Sequence, residues 1–210
     1  MPELRVPEAA ERDDLGAFVA RAVRLDAGVA VRLRHHDGRV DAWVDTPFDA
    51  LATRSVPGSV APADLTVTGS DLLAALAVVG GAAVDPGHPR DLLWRSALPP
   101  ESGWHEVDEV PADVFAGLVD RGAAVARDNP GPKGNPPASL LDQKVITISG
   151  AGFEVPVPLR CLFALSGMGF VGGHAAGETV RVSATDSWLR LDARYGAVLR
   201  RRHSLLPLLV

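Results

Sequence analysis

Leu15, Phe18, Val19, Ala22 and Val23 recur at i, i+3, i+4, i+7 and i+8 within Pro7 to Leu25, the spacing that lines one face of a helix. Glu8, Glu11, Asp13 and Asp14 gather toward the start of this segment and Arg21 and Arg24 toward its end, so the charges complement the helix dipole. After Gly28 the period falls to two. Val29, Val31 and Leu33 alternate with Ala30, Arg32 and Arg34, and Val40, Ala42 and Val44 resume the alternation beyond Asp37-Gly38. Asp-Gly between alternating runs predicts a hairpin, because its tight turn needs positive φ. Phe48 to Val56 predicts a third strand, reached through Thr46-Pro47, and completes a meander.

Further along, Thr68 or Ser70 can cap a helix over Asp71 to Val79, stopped by Gly80-Gly81. Residues 80–104 carry Pro86, Pro89, Pro99 and Pro100 and read as a loop packed by its aromatics around Leu92, Leu93 and Trp94. Pro111 suits the first position of a helix whose apolar stripe is Val114, Leu118, Val119, Gly122 and Val125. Val145 to Ser149 and Phe153 to Val157 read as strands around the turn Gly150-Ala-Gly152, followed by a buried helix from Leu159 to Met168. Thr179 to Ala184 with Trp188 to Arg201 forms a second strand pair. The fold expected is α+β, with antiparallel β-hairpins and meanders packed against three to four helices.

An internal echo supports two related halves. Phe48-Asp-Ala-Leu-Ala-Thr-Arg54 and Tyr195-Gly-Ala-Val-Leu-Arg-Arg201 share an aromatic, then Ala, an aliphatic and a final Arg, and each follows a helix, a Val-Arg strand and a Trp, at Trp43 and Trp188. Asn129 to Pro137 has four prolines, two glycines and no large apolar side chain. If the single domain 1–210 divides, subdomains 1–128 and 138–210 are expected to join through 129–137.

Composition narrows the class. With 47% hydrophobic and 22% charged residues the chain is no disordered or solvating polymer, and its one cysteine fits a reducing compartment. No stretch reaches the apolar length of a membrane helix, the longest being Leu72 to Val79 and Leu205 to Val210, and no secretory leader is visible after Met1. A cytoplasmic address with no membrane partner is expected. The net charge of −5 is uneven: Arg181, Arg190, Arg194, Arg200, Arg201 and Arg202 outweigh Asp186 and Asp192 by +4 in residues 179–210, leaving −9 upstream. This basic segment reads either as an anion footprint or as the counterpart of Glu101, Glu106, Asp108, Glu109 and Asp113. A pI of about 5.6 argues against a dedicated nucleic-acid binder.

Motif by motif, chemistry is sparse. Gly167-Met-Gly169-Phe-Val-Gly172, followed by Gly173, has dinucleotide-fingerprint spacing, yet a helix precedes it where the fingerprint needs a strand, so a helix-ending loop competes with a nucleotide or anion site. Ser166 has Ala164 where a nucleophile elbow needs Gly, and Cys161 sits inside an apolar helix. The histidines His35, His36, His88, His105, His174 and His203 match no zinc spacing, so no metal, cofactor or catalytic residue is expected. The apolar tail with Leu205, Leu206, Leu208 and Leu209 suggests docking on the core, on a second copy or on a protein partner.

Thr46-Pro-Phe-Asp-Ala-Leu-Ala-Thr-Arg-Ser-Val56, Leu98-Pro-Pro-Glu-Ser-Gly-Trp104, Gly167-Met-Gly-Phe170 and Arg190 to Arg202 with the apolar tail resemble the actinobacteria-specific signature proteins. That resemblance covers most of the chain and implies a small cytoplasmic protein without an assigned activity. It carries over no catalytic residue and favours a lineage-specific regulatory or protein-interaction role, with self-association among its modes. Two alternatives stay open: a small anionic ligand or nucleotide at Gly167, Gly169, Gly172 and Gly173, and weak nucleic-acid binding through Arg194 and Arg200 to Arg202.

Overall fold

The computed structural model of the chain describes residues 1–78, 81–131, 136–171 and 177–202. In chain order the elements are β1 (Glu3–Arg5), α1 (Ala9–Leu25), β2 (Ala30–His36), β3 (Arg39–Thr46), β4 (Ala50–Pro57), β5 (Ser59–Ala61), β6 (Asp64–Thr68), α2 (Gly69–Leu76) and β7 (Ala83–Val84). A 3-10 turn at Asp91–Leu93 leads to β8 (His105–Pro111), α3 (Ala112–Asp128), α4 (Ala138–Leu141), β9 (Lys144–Gly150), β10 (Phe153–Pro158), α5 (Leu159–Gly167), β11 (Thr179–Ala184), β12 (Trp188–Ala193) and β13 (Gly196–Arg201).

Local chemistry explains the ends. Asp37 at φ 47 and Gly38 at φ 72 make the β2–β3 turn, both positive as the tight hairpin requires. Thr68 caps α2 by accepting a hydrogen bond from the Asp71 amide at 3.2 Å. Beyond α5, Gly169 at φ 64 takes the left-handed position after the helix, and the Phe170 amide closes back on the Leu165 carbonyl at 2.8 Å.

Eight antiparallel strands form the main sheet in the order β6-β2-β3-β4-β13-β12-β11-β8. It is built from two meanders, α1 followed by β2–β3–β4 and α5 followed by β11–β12–β13, joined where β4 pairs with β13. The internal echo equates Leu51 with Val198 and Ala52 with Leu199. The ladder pairs Leu51 with Leu199 and Ala52 with Val198, so exchanging the two strands reproduces the pairing. The repeat is therefore a local twofold relation at the seam. The flanking strands break it, since β6 follows its meander in the chain and β8 precedes its own.

One cluster of buried apolar side chains, from Leu4 to Val198, runs through both halves on the helical side of the sheet. Phe18 of α1 stacks on Phe170 with ring centroids 6.3 Å apart. Trp43 alternates with Ala42 and Val44 and so points to the other face, where it meets Leu51, Trp188, Ala197 and Leu199. Trp94, Leu98 and Trp104 cover this second cluster, so residues 94–104 act as a strap over it. Each strap indole is tied locally, Trp94 Nε1 donating to the Ser96 carbonyl at 2.6 Å and Trp104 Nε1 to the Pro100 carbonyl at 2.9 Å.

Several expectations need correction. Within the acidic run, His105–Pro111 forms β8, to which the sequence assigned no element: Val107 and Val110 reach the core while its backbone pairs with β11. Trp188 to Arg201 is two strands joined by a turn at Arg194-Tyr195, and the described helices number five. Residues 59–68 add β5 and β6, which the alternation pattern had not marked. Of the stretch 129–137, residues 132–135 lie outside the described residues; its flanks end α3 and begin α4.

Candidate functional site

Arg160 stands in the first turn of α5, inside the run Leu159 to Leu165, and is 7% exposed. A buried guanidinium must be fully satisfied. Its Nε and Nη2 donate to Asp142 Oδ1 at 2.8 and 2.6 Å, and its Nη1 donates to the Phe48 carbonyl at 3.0 Å. Phe48-Asp49 is the turn between β3 and β4, so this one side chain ties α5 to the first meander. Arg200 of β13 completes the network, with Nη2 donating to Asp49 Oδ2 at 2.9 Å and standing 3.8 Å from Asp142.

Beside this network a groove of about 340 Å³ opens at the seam. Its walls come from the β3–β4 hairpin (Asp45, Asp49, Leu51), the strap (Ser96, Ala97) and the second meander (Trp188, Leu199, Arg200, Arg201). The floor is apolar and the rim charged. Ser96 Oγ donates to Asp45 Oδ2, anchoring the strap to the rim. Burial against the strap pushes the Asp45 carboxyl above its ordinary value, the Ser96 hydrogen bond opposes this, and Asp49 adds to it.

Arg201 lies over the Trp188 ring, 5.1 Å from its centroid. It also borders a cleft of about 100 Å³ with Asp142, Lys144, Leu189 and Arg202, and a third hollow of about 350 Å³ with His105, Phe153 and Asp186. Arg202 is pinned by two backbone carbonyls, its Nη1 donating to Thr185 at 2.9 Å and its Nη2 to Glu154 at 2.8 Å.

The sequence-derived candidates are thus partly gathered. Arg200, Arg201 and Arg202 meet at the C-terminal end of β13, whereas Arg194 lies at the opposite end, on the β12–β13 turn, where its Nη1 donates to Glu178 at 2.8 Å. Gly167 and Gly169 stand apart from the groove: a Cβ on Gly167 would meet Leu25 Cδ2 at 3.0 Å, and one on Gly169 would meet Arg21 Nε at 3.1 Å. Gly172, Gly173, Leu205, Leu206, Leu208 and Leu209 lie outside the described residues, as do His174 and His203. Of the C-terminal arginines, Arg181 meets the acidic strand, standing 3.4 Å from Glu106 and 3.6 Å from Glu109, whereas Arg190, Arg194 and Arg200 pair with Asp192, Glu178 and Asp49.

Asp45, Asp49, Ser96, Ala97, Asp142 and Arg160 had no signal as site residues. Only an arginine within an apolar helix hinted at the network. Cys161 is fully buried, which pushes its thiol up to about 12. Among the described residues no group of three or more His, Cys, Asp or Glu side chains could hold a metal ion, and no helix is long and apolar enough to cross a membrane.

The fold has counterparts of known structure. A DNA polymerase III beta sliding clamp from Bartonella birtlesii bound to griselimycin aligns over 99% of this chain and 67% of its own, with a TM-score of 0.55 at 12% identity. The polymerase beta subunit of Streptococcus pyogenes aligns over 99% and 66%, with a TM-score of 0.58 at 10% identity. The Caulobacter crescentus beta sliding clamp aligns over 98% and 66%, with a TM-score of 0.59 at 12% identity. The chain spans about two thirds of the length of these clamps and shares their fold. Comparison of the sequence with curated proteins finds no match. Residues 1–96 fit the model described as "Domain of unknown function (DUF8010)" and residues 99–205 fit "Domain of unknown function (DUF8185)", the two ranges meeting within the strap. The second range takes in more than half of the 210 residues, and the chain accordingly belongs to the DUF8185 family.

Proposed function

We propose that this chain is a protein-interaction module on the sliding-clamp fold, and that a partner segment enters the groove between the two meanders. One observation carries the reading. The groove is assembled from both halves and the strap, with an apolar floor at Leu51, Trp188 and Leu199 and charges only at its rim. Apolar concavity ringed by a few polar groups is what a docked side chain needs. In the same fold, the Bartonella birtlesii clamp is described bound to griselimycin.

Charge supports a protein over a nucleic acid. Helices α1, α2 and α3 carry Glu11, Asp13, Asp14, Asp71, Asp113, Asp120 and Asp128 against Arg12, Arg21, Arg24, Arg121 and Arg127. That acidic excess opposes a phosphate backbone on the helical layer. A lineage-restricted regulatory role, with self-association as one mode, belongs to the same proposal and is favoured by the family resemblance.

The test is crosslinking in the native cell with tagged variants. Ala97 is exposed on the groove wall, so Ala97→Trp fills the groove without entering the core. Val125→Glu on α3 is the control, Val125 being 45% exposed and remote from the groove in the fold. The expected result is a crosslinked partner kept by Val125→Glu and lost by Ala97→Trp. An unchanged partner set in both variants overturns the reading.

A further inference from the structure

Among the described residues, the C-terminal end of β13 holds more positive charge than its neighbours neutralise. Asp142 is committed to Arg160 and Arg200, and Asp49 to Arg200. Among the described residues no carboxylate lies within ion-pair distance of Lys144, Arg201 or Arg202, although all three line one cleft of about 100 Å³. In a chain of net charge −5 that is a local surplus of three cations beside a single spent aspartate.

These cations are also held in place. The two carbonyls on Arg202 fix its guanidinium, and its Nε is buried without a hydrogen-bond partner. Trp188 supports Arg201 from below. A guanidinium already ordered loses little side-chain freedom when it meets a carboxylate, and Arg201, whose side chain donates to no hydrogen-bond acceptor among the described residues, can donate to that group in a bidentate geometry. Arg201 borders both this cleft and the apolar groove, so the two compartments share one wall.

We infer that the occupant of the groove is a partner segment in which acidic residues adjoin aliphatic ones. Its carboxylate meets Arg201, Lys144 and Arg202 while its aliphatic side chains cover Leu51, Trp188 and Leu199. This rests on the interaction reading above and adds the chemistry of the partner. A free phosphate would satisfy the cleft and leave the apolar floor unused. A nucleic acid would need basic charge continuing along the surface, where Asp45 and Asp49 instead flank the groove.

The measurement is selection of peptides from a random display library on the full chain, followed by affinities of the selected peptides. The expected consensus places Asp or Glu beside Leu, Ile, Val or Phe. Lys144→Glu with Arg201→Glu should weaken those peptides by about tenfold or more, added salt should weaken them too, and Arg201→Lys, which keeps the charge but loses the fork and the stacking on Trp188, should weaken them less than the charge reversal does. Lys144 is exposed, so Lys144→Glu alone gives a reading even where the double variant loses stability. An enriched apolar consensus without acidic residues, abolished by Ala97→Trp but indifferent to charge reversal, overturns this inference and leaves the interaction reading standing. A library that enriches nothing overturns both. Displacement of the selected peptides by a synthetic peptide of residues 203–210 with an amidated C-terminus, which contains no carboxylate, would assign the groove to the chain's own segment and overturn the inference as well.

Discussion

Leu51 faces Leu199 across the β4–β13 ladder, and beside that pair the two meanders become one continuous sheet. The same two side chains form the floor of the groove. Stability of the seam and shape of the site are therefore set by one contact.

Leu199 is fully buried, and its truncation leaves a cavity between Trp43, Leu51 and Trp188. Leu199→Ala should cost about 2–5 kcal/mol. Urea unfolding followed by far-ultraviolet dichroism should show one transition at a lower midpoint. Two separated transitions would show that the seam does not couple the halves.

Gly169 holds a left-handed conformation at φ 64 against Arg21. Gly169→Ala should lose about 1–2 kcal/mol through backbone strain. A thermal midpoint several degrees lower is the expected reading, and an unchanged midpoint would dispose of the helix-ending role.

Asp45 and Asp64 should respond to pH in opposite directions. Burial raises Asp45, so its contribution is full below the unfolded value of 3.8 and is lost as pH rises through its folded value. Asp45→Asn should therefore stabilise the protein at neutral pH, with the advantage vanishing in acid. Asp64 is lowered chiefly by the Arg32 hydrogen bond, whose Nε donates to Asp64 Oδ1 at 2.7 Å. Its contribution is present above 3.8 and is lost as pH falls through the folded value, so Asp64→Asn should destabilise at neutral pH and not in strong acid. Denaturant midpoints across the acid range separate the two.

Cys161 should be silent in the native protein. With burial pushing its thiol up to about 12, neutral solution holds almost no thiolate, and no solvent path reaches the sulfur. A disulfide-exchange reagent should titrate no thiol until guanidinium is added and then one. Fast labelling of the folded chain would contradict the packing of α5.

Much of the fold was legible because local chemistry decided it. The stripe Leu15, Phe18, Val19 and Ala22 marks α1, Asp37-Gly38 marks the first hairpin, and Thr68 marks the start of α2. Strand β8 was not, because a run of carboxylates interrupted by Val107 and Val110 acquires its conformation from pairing with β11. Turn Arg194-Tyr195 carries no glycine or proline of its own, so β12 and β13 read as one strand. The groove was less legible still. Asp45, Ala97 and Leu199 stand far apart in sequence and converge only through the seam and the strap. The arginines of β13 stand out in the sequence as a charge excess, yet sequence could not separate Arg200, which pairs with Asp49, from Arg201, which has no carboxylate partner among the described residues.

The strap has a consequence for how the molecule is held together. Either half alone would expose a bare strand edge, at β4 or at β13, and would have to find the other by diffusion. Covalent linkage through residues 94–104 replaces that encounter with an effective concentration on the order of millimolar. Cutting the chain within the strap would turn one protein into two fragments whose reunion depends on dilution, and the groove would then exist only as long as the fragments stayed together.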